Sequence, residues 1–174
     1  IGYKNFLYLD LTARNDWSST LPPGNWSYLY PSAGLTWIAS DMLKSLPGWI
    51  TFAKLRVSLA RVGNDTDPYL VDPTFNYSSG GTYGYVGRSG ISPAADLKPE
   101  LTTSKELGFD LRFFRNRFGL DFTWYKSNSK NQLLMINLPV ASGYDSKFIK
   151  AGNIQNGGFE AILNIKPVDN QLKW

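Results

Sequence analysis

Asp10, Arg14, Lys54, Arg56, Glu106, Asp110, Arg112 and Asp121 offer the most chemistry in this chain, and each stands at an alternating position within an otherwise apolar stretch. Carboxylates and cations spaced in this way can exchange protons, pair with one another or hold a charged cargo. The chain contains no His and no Cys. That excludes a thiolate nucleophile, a Ser-His-Asp triad and every zinc site built on imidazole or thiolate. No carboxylate pair stands out for glycosidic cleavage either, so no enzymatic reaction is expected and the charged set reads mainly as a salt-bridged surface.

A second group consists of the aromatics Tyr69, Phe75, Tyr77, Tyr83 and Tyr85, set in a stretch dense in Gly, Ser, Asp and Pro. Their ring faces suit stacking on sugar CH groups. They suit packing against a partner protein equally well. Asn64-Asp65-Thr66-Asp67 places oxygens at alternate positions but lacks the Gly and Glu of a calcium loop, so it reads as a turn. Ser127-Asn128-Ser129-Lys130 follows a strand rather than opening a helix, and the glycines between Gly80 and Gly87 lack the strand-to-helix setting of a phosphate cradle. No metal and no cofactor are expected.

The elements that position these residues have a period of two. In Ser104–Ser127, Leu107, Phe109, Leu111 and Phe113 alternate with Glu106, Gly108, Asp110 and Arg112. After a reversal at Phe114–Arg117, Phe118, Leu120, Phe122 and Trp124 alternate with Gly119, Asp121, Thr123 and Tyr125. This predicts a hairpin with one apolar and one charged face, whose register is fixed because a one-residue slip would exchange the two faces. Phe6–Arg14, Tyr28–Ala39, Phe52–Val62 and Phe159–Ile165 repeat the pattern, with Pro31 marking an irregular outer end in the second of them. Asn15–Asn25, Ser40–Gly48, Gly63–Thr103 and Lys126–Gly157 read as connections. A short hairpin is expected near Tyr83–Val86, and Gln132–Leu138 reads as a continuation of the fifth strand or a loop-borne strand. Pro167–Lys173 is expected to turn.

Long connections follow the first, third and fifth strands and short ones follow the others, as in a membrane barrel with loops at one mouth and tight turns at the other. Trp37, Trp49, Phe113, Phe114, Phe118 and Trp124 fit interfacial girdles. No stretch reaches the 18 or so apolar residues of a membrane-crossing helix. The formal net charge of +4 is spread without a run of five basic residues, so no nucleic-acid partner is expected. The fold class expected is all-β: an antiparallel up-and-down transmembrane β-barrel segment of six to seven strands. Since a membrane barrel needs at least about eight strands, the rest of the wall must lie in other residues, and the chain reads as a piece of something longer. A secreted soluble β-sandwich that binds glycans is the alternative, with the apolar face as its core.

Arg14-Asn15-Asp16-Trp17-Ser18-Ser19-Thr20-Leu21-Pro22, Tyr30-Pro31-Ser32-Ala33-Gly34-Leu35-Thr36-Trp37-Ile38, Val62-Gly63-Asn64-Asp65-Thr66, Leu97-Lys98-Pro99-Glu100 and Glu106-Leu107-Gly108-Phe109-Asp110-Leu111-Arg112-Phe113-Phe114 together resemble the SusC/RagA family of TonB-dependent outer-membrane transporters. Tyr125–Gln132 and Ala151–Glu160 continue the likeness in order. The resemblance implies a barrel of about 22 strands in the bacterial outer membrane, in contact with lipid. It also implies a plug domain, a TonB box, a SusD-like surface lipoprotein as partner, and import of oligosaccharides or peptides. Plug and TonB box are not among these 174 residues. In such a barrel the eight charged residues would face the lumen and meet the plug.

Overall fold

The computed structural model describes residues 1–43 and 45–167. Its strands are β1 (Gly2–Tyr3), β2 (Leu7–Trp17), β3 (Ser27–Ile38), β4 (Ile50–Asn64), β5 (Phe75–Ser78), β6 (Tyr85–Arg88), β7 (Ile91–Ser92), β8 (Glu100–Phe113), β9 (Phe118–Lys130), β10 (Leu133–Asn137), β11 (Ser146–Lys150) and β12 (Asn153–Ile165). A short α-helix, α1 (Ala39–Met42), lies between β3 and β4. The long strands form a single seven-stranded sheet in the order β1-β2-β3-β4-β8-β9-β12, with antiparallel neighbours throughout.

Register turns the sequence alternation into rows. Leu9, Leu35, Val57, Leu107, Trp124 and Phe159 are successive cross-strand partners, and so are Leu7, Trp37, Leu55, Phe109, Phe122 and Ala161. Aromatic rings stack along and between these rows, Phe109 on its partner Phe122 at 6.5 Å and Phe122 on Phe159 of the other row at 5.8 Å. Among the described residues nothing packs on top of them. Within the interior strands Val57, Leu59 and Phe109 remain 40%, 48% and 38% exposed, and the hydrophobic side chains buried among the described residues are Leu21, Tyr30 and Leu97, none of them on this face. A sandwich would press these rows against a second sheet, so the alternative expectation fails.

The two ends are less unequal than expected, because residues 39–49, α1 among them, join β3 to β4 where a short connection was expected, against residues 18–26 between β2 and β3; the tight turn is the β8–β9 reversal. At the β8–β9 reversal Phe114, Arg115 and Asn116 all adopt positive φ, and Arg115 N–H donates to Thr51 Oγ1 at 2.9 Å. Trp49 stacks on Phe113 and Phe114 at 5.6 and 6.3 Å, giving an aromatic cluster at that end. Trp124, expected with that group near a strand end, instead lies midway along β9, because the strand runs on to Lys130.

Several other boundaries move outward for the same reason. β2 extends to Trp17, β4 to Asn64, and β12 starts at Asn153 rather than Phe159. Apart from Trp17 and Ile154 the added residues are polar or glycine, so they carry no alternation, but their backbone groups still complete the ladder. The stretch expected as one large loop, Gly63–Thr103, shrinks to 65–99 and holds β5, β6 and β7. The expected hairpin is longer than Tyr83–Val86, pairing Phe75 with Arg88 through Ser78 with Tyr85. Gln132–Leu138 resolves as the loop-borne strand β10, paired with β11. Pro31 ends the β3–β4 ladder, which stops at Ser32 opposite Ala60. The turn expected at Pro167–Lys173 lies outside the described residues beyond Pro167.

Candidate functional site

The eight charged residues singled out in the sequence share one face of the sheet, opposite the apolar rows. Five of them form a cluster. Asp110 and Asp121 are direct cross-strand partners, an arrangement that would repel if left alone. Lys54 Nζ lies 3.4 Å and Arg112 Nη2 3.5 Å from Asp110 Oδ2, while Arg56 Nη2 donates to both oxygens of Asp121 at 2.9 and 3.1 Å. Three cations thus bracket two carboxylates.

Local sequence explains how they fit. A Cβ on Gly108 would come within 3.1 Å of Arg56 Nε and Nη2, so the missing side chain leaves the guanidinium room to reach across β8 to β9. Phe52 underlies the cluster, with Arg112 5.0 Å and Lys54 5.8 Å from its ring centre. The other three candidates stand apart: Glu106 accepts from Ser58 Oγ at 3.4 Å, Asp10 is exposed opposite Gly34, and Arg14 pairs with Asp16 at 3.0 Å. Phe52, Gly108 and Asp16 were missed by sequence reasoning, although their positions in the alternation were the available signal. The carboxylates of the cluster are all paired, so the arrangement stiffens the charged face of the sheet. With Arg56 40% and Asp121 31% exposed, Asp121→Asn should cost under about 1 kcal/mol in a denaturant titration of the full-length protein.

The loop aromatics do not converge. Phe75 and Tyr77 share a face of the β5–β6 hairpin with Val86 and Arg88, whereas Tyr85 lies on the other face. Tyr83 caps the hairpin, where its carbonyl accepts from Tyr77 Oη at 3.2 Å, and Tyr69 sits in a separate turn at φ 65°. All five rings are exposed.

The loops are braced to one another. Leu21 and Leu97 are buried, and Asn25 Nδ2 donates to Leu97 O at 2.9 Å. β7 pairs in parallel with β11, joining the loop after β4 to the loop after β9. Lys150 Nζ reaches Asp96 Oδ2 at 2.5 Å, and its hydrogen bond holds the Asp96 carboxyl below the usual range. Arg88 donates to Gly143 O and lies 4.1 Å from the Tyr144 ring.

Asp65 ties the first loop to the second. It accepts from Ser18 Oγ, from Thr20 Oγ1 at 2.6 Å and from Thr66 N–H at 2.8 Å. Burial alone would raise its pKa, but these three donors together bring it below the ordinary 3.8. A carboxyl with a depressed folded pKa stabilises above its unfolded value and loses that contribution as acid protonates it through the folded value. Proteolytic nicking of the loops should therefore accelerate below about pH 4, and Asp65→Asn should make nicking fast at neutral pH, leaving only the acid response of the Asp96–Lys150 brace.

A single-layer antiparallel meander with one unpartnered apolar face, one ion-paired face and loops braced to one another at one end defines a piece of wall from a membrane β-barrel. The chain belongs to the TonB dependent receptor-like β-barrel family, whose model matches residues 3–174. These are outer-membrane proteins of Gram-negative bacteria, and the chain is part of such a barrel. Relatives include TonB-dependent receptors P3 and P26 of Formosa agariphila, 29% identical over 97% of the chain and 27% identical over 99%. The chain spans 17% and 18% of their lengths.

Among solved structures, the RagAB peptide importer in its closed-closed state aligns over 98% of the chain and 19% of its own at TM-score 0.85 and 22% identity. The siderophore receptor PirA from Pseudomonas aeruginosa aligns over 95% and 29% at TM-score 0.61 and 16% identity. The SusC/RagA resemblance read from the sequence agrees with these matches, the RagAB fold superposing more closely than that of the siderophore receptor.

Proposed function

We propose that this chain forms about a third of the barrel wall in a TonB-dependent importer that takes up oligosaccharides or peptides with a SusD-like surface lipoprotein. The observation that carries this reading is the division of one sheet into an apolar, uncovered face and a face of bracketed charges. Turned into a barrel, the first meets lipid and the second lines the passage and abuts a plug. Asp10, Arg14, Lys54, Arg56, Glu106, Asp110, Arg112 and Asp121 are then lumen-facing. The braced loops, with Tyr69, Phe75, Tyr77, Tyr83 and Tyr85 exposed on them, supply the surface for the lipoprotein and the cargo. Energy enters through TonB acting on a plug-borne segment of the full-length protein.

The test is uptake by cells that carry the full-length protein as their one importer for fluorescent oligosaccharides or peptides. Accumulation of one cargo class that stops when TonB is deleted supports the reading. Accumulation of neither, with the protein folded in the outer membrane, overturns it. Deleting 75–88 should lower uptake and release the lipoprotein from a detergent-solubilised complex, while leaving the barrel folded.

A further inference from the structure

Basic residues enter the apolar face of the wall at its loop end. Arg61 in β4, Lys105 in β8, and Lys126 and Lys130 in β9 have the parity of Leu59, Leu107 and Trp124, not that of the ion-paired face. All four are exposed. Among the described residues none of them takes part in a salt bridge. Apart from the Lys105–Lys126 pair, their register partners are Leu59, Leu101, Thr103, Asn153 and Gly157, none of them a carboxylate that could balance the charge. Lys105 and Lys126 are direct cross-strand partners, a pairing that costs stability unless an anion lies between them.

Height identifies the anion's surroundings. Lys105 is eight residues up β8 from Phe113, which marks the aromatic end. At roughly 3.3 Å per residue and a tilt near 40° that is about 20 Å along the membrane normal. The apolar band of such barrels is about 25 Å tall, so the lysines stand at its outer rim, within snorkelling reach of the headgroups. Each of the three strands has both neighbours in this chain, so the missing wall does not cover them. Beside Arg61 lies an apolar groove of about 530 Å³ lined by Leu11, Ala13, Pro31, Ala33 and Leu59.

We propose that Arg61, Lys105 and Lys126 bind the phosphate groups of an acylated, phosphorylated lipid of the outer leaflet, with one acyl chain in the groove beside Arg61. Phosphate supplies the missing negative charge between facing lysines, and the small side chains of the groove admit a chain that larger residues would exclude. The inference rests on the orientation of the wall in the membrane and is independent of any cargo.

Native mass spectrometry of the full-length protein extracted from outer membranes tests it, with variants K105Q/K126Q and R61Q and with K4Q at the opposite end as control. Heat-modified gel mobility verifies that each variant is folded. Wild type and K4Q should carry a phosphorylated, acylated lipid, and each cation removed should lower its occupancy roughly fivefold. Added inorganic phosphate should not displace it. Equal occupancy in all variants, equal retention of enzymatically dephosphorylated lipid, or displacement by inorganic phosphate alone would overturn the proposal. So would a lipid-free wild type whose dimer mass disappears in K105Q/K126Q, which would make this face a protein interface. Should K105Q/K126Q not fold, R61Q alone decides between the same outcomes.

Discussion

Phe109→Arg should destabilise the full-length barrel by about 2–4 kcal/mol, the cost of a basic side chain at the bilayer midplane. Phe109 is four residues from Phe113 at the turn end and four from Lys105 at the rim, which sets it near mid-height of the apolar face. Its partners there are Leu55 and Phe122, so the new charge finds no acid to pair with. The same substitution at Leu59, one strand over and level with Lys105, should cost less, about 1 kcal/mol for its depth near the interface plus some tenths for the like charge of Lys105 directly across. On the opposite face Ser58→Arg should be close to neutral, since Glu106 lies directly across. Denaturant titration in lipid vesicles reads all three. A cost independent of depth would mean that the apolar rows meet protein rather than acyl chains.

How much of this was legible in the sequence depends on what each segment faces. Where one side meets lipid and the other water, alternation is enforced, and Leu107 to Phe113 or Phe118 to Trp124 reveal strand, register and face at once. Beyond the rim both sides are wet. Asn153–Gly157 and Ser127–Lys130 pair as regularly as the rest of β12 and β9, yet Asn, Gln, Ser and Lys leave no periodic trace. The loop layer was hidden for a further reason. β7 meets β11 across more than fifty residues of chain, and Asp65 meets Ser18 and Thr20 across more than forty, and neither pairing has a local sequence cue.

The charged cluster stands between these cases. Alternation put Lys54, Arg56, Asp110, Arg112 and Asp121 on one face, but only register shows that Asp110 faces Asp121 and that Gly108 clears the path for Arg56. The exposed aromatics were legible as residues and not as a surface, because hairpin register sends Tyr85 to the face opposite Tyr77.

Gly63→Val should cost about 1–3 kcal/mol, the usual range for forcing atoms into a filled space. Intrinsic preference argues for the opposite sign, since valine suits a strand better than glycine does. Space decides against it. Past Pro31 the strands β3 and β4 part, and Tyr30 fills the opening with its ring against Gly63, where a Cβ would lie 2.0 Å from Tyr30 Oη and 2.4 Å from Cε1. Tyr30 is only 6% exposed, packs edge-on to Tyr28 at 5.1 Å and lies under Arg14 at 5.6 Å, so it cannot swing aside without leaving those partners. Gly63 is also two residues from Asp65, so displacing the ring loosens the tie that holds the first two loops together. Denaturant titration should show the loss, and proteolysis should nick the 65–99 loop faster. In a Tyr30→Ala background the same Gly63→Val change should become neutral or slightly stabilising, because the obstructing ring has gone. An undiminished penalty in that background would place its origin in the backbone and not in the ring.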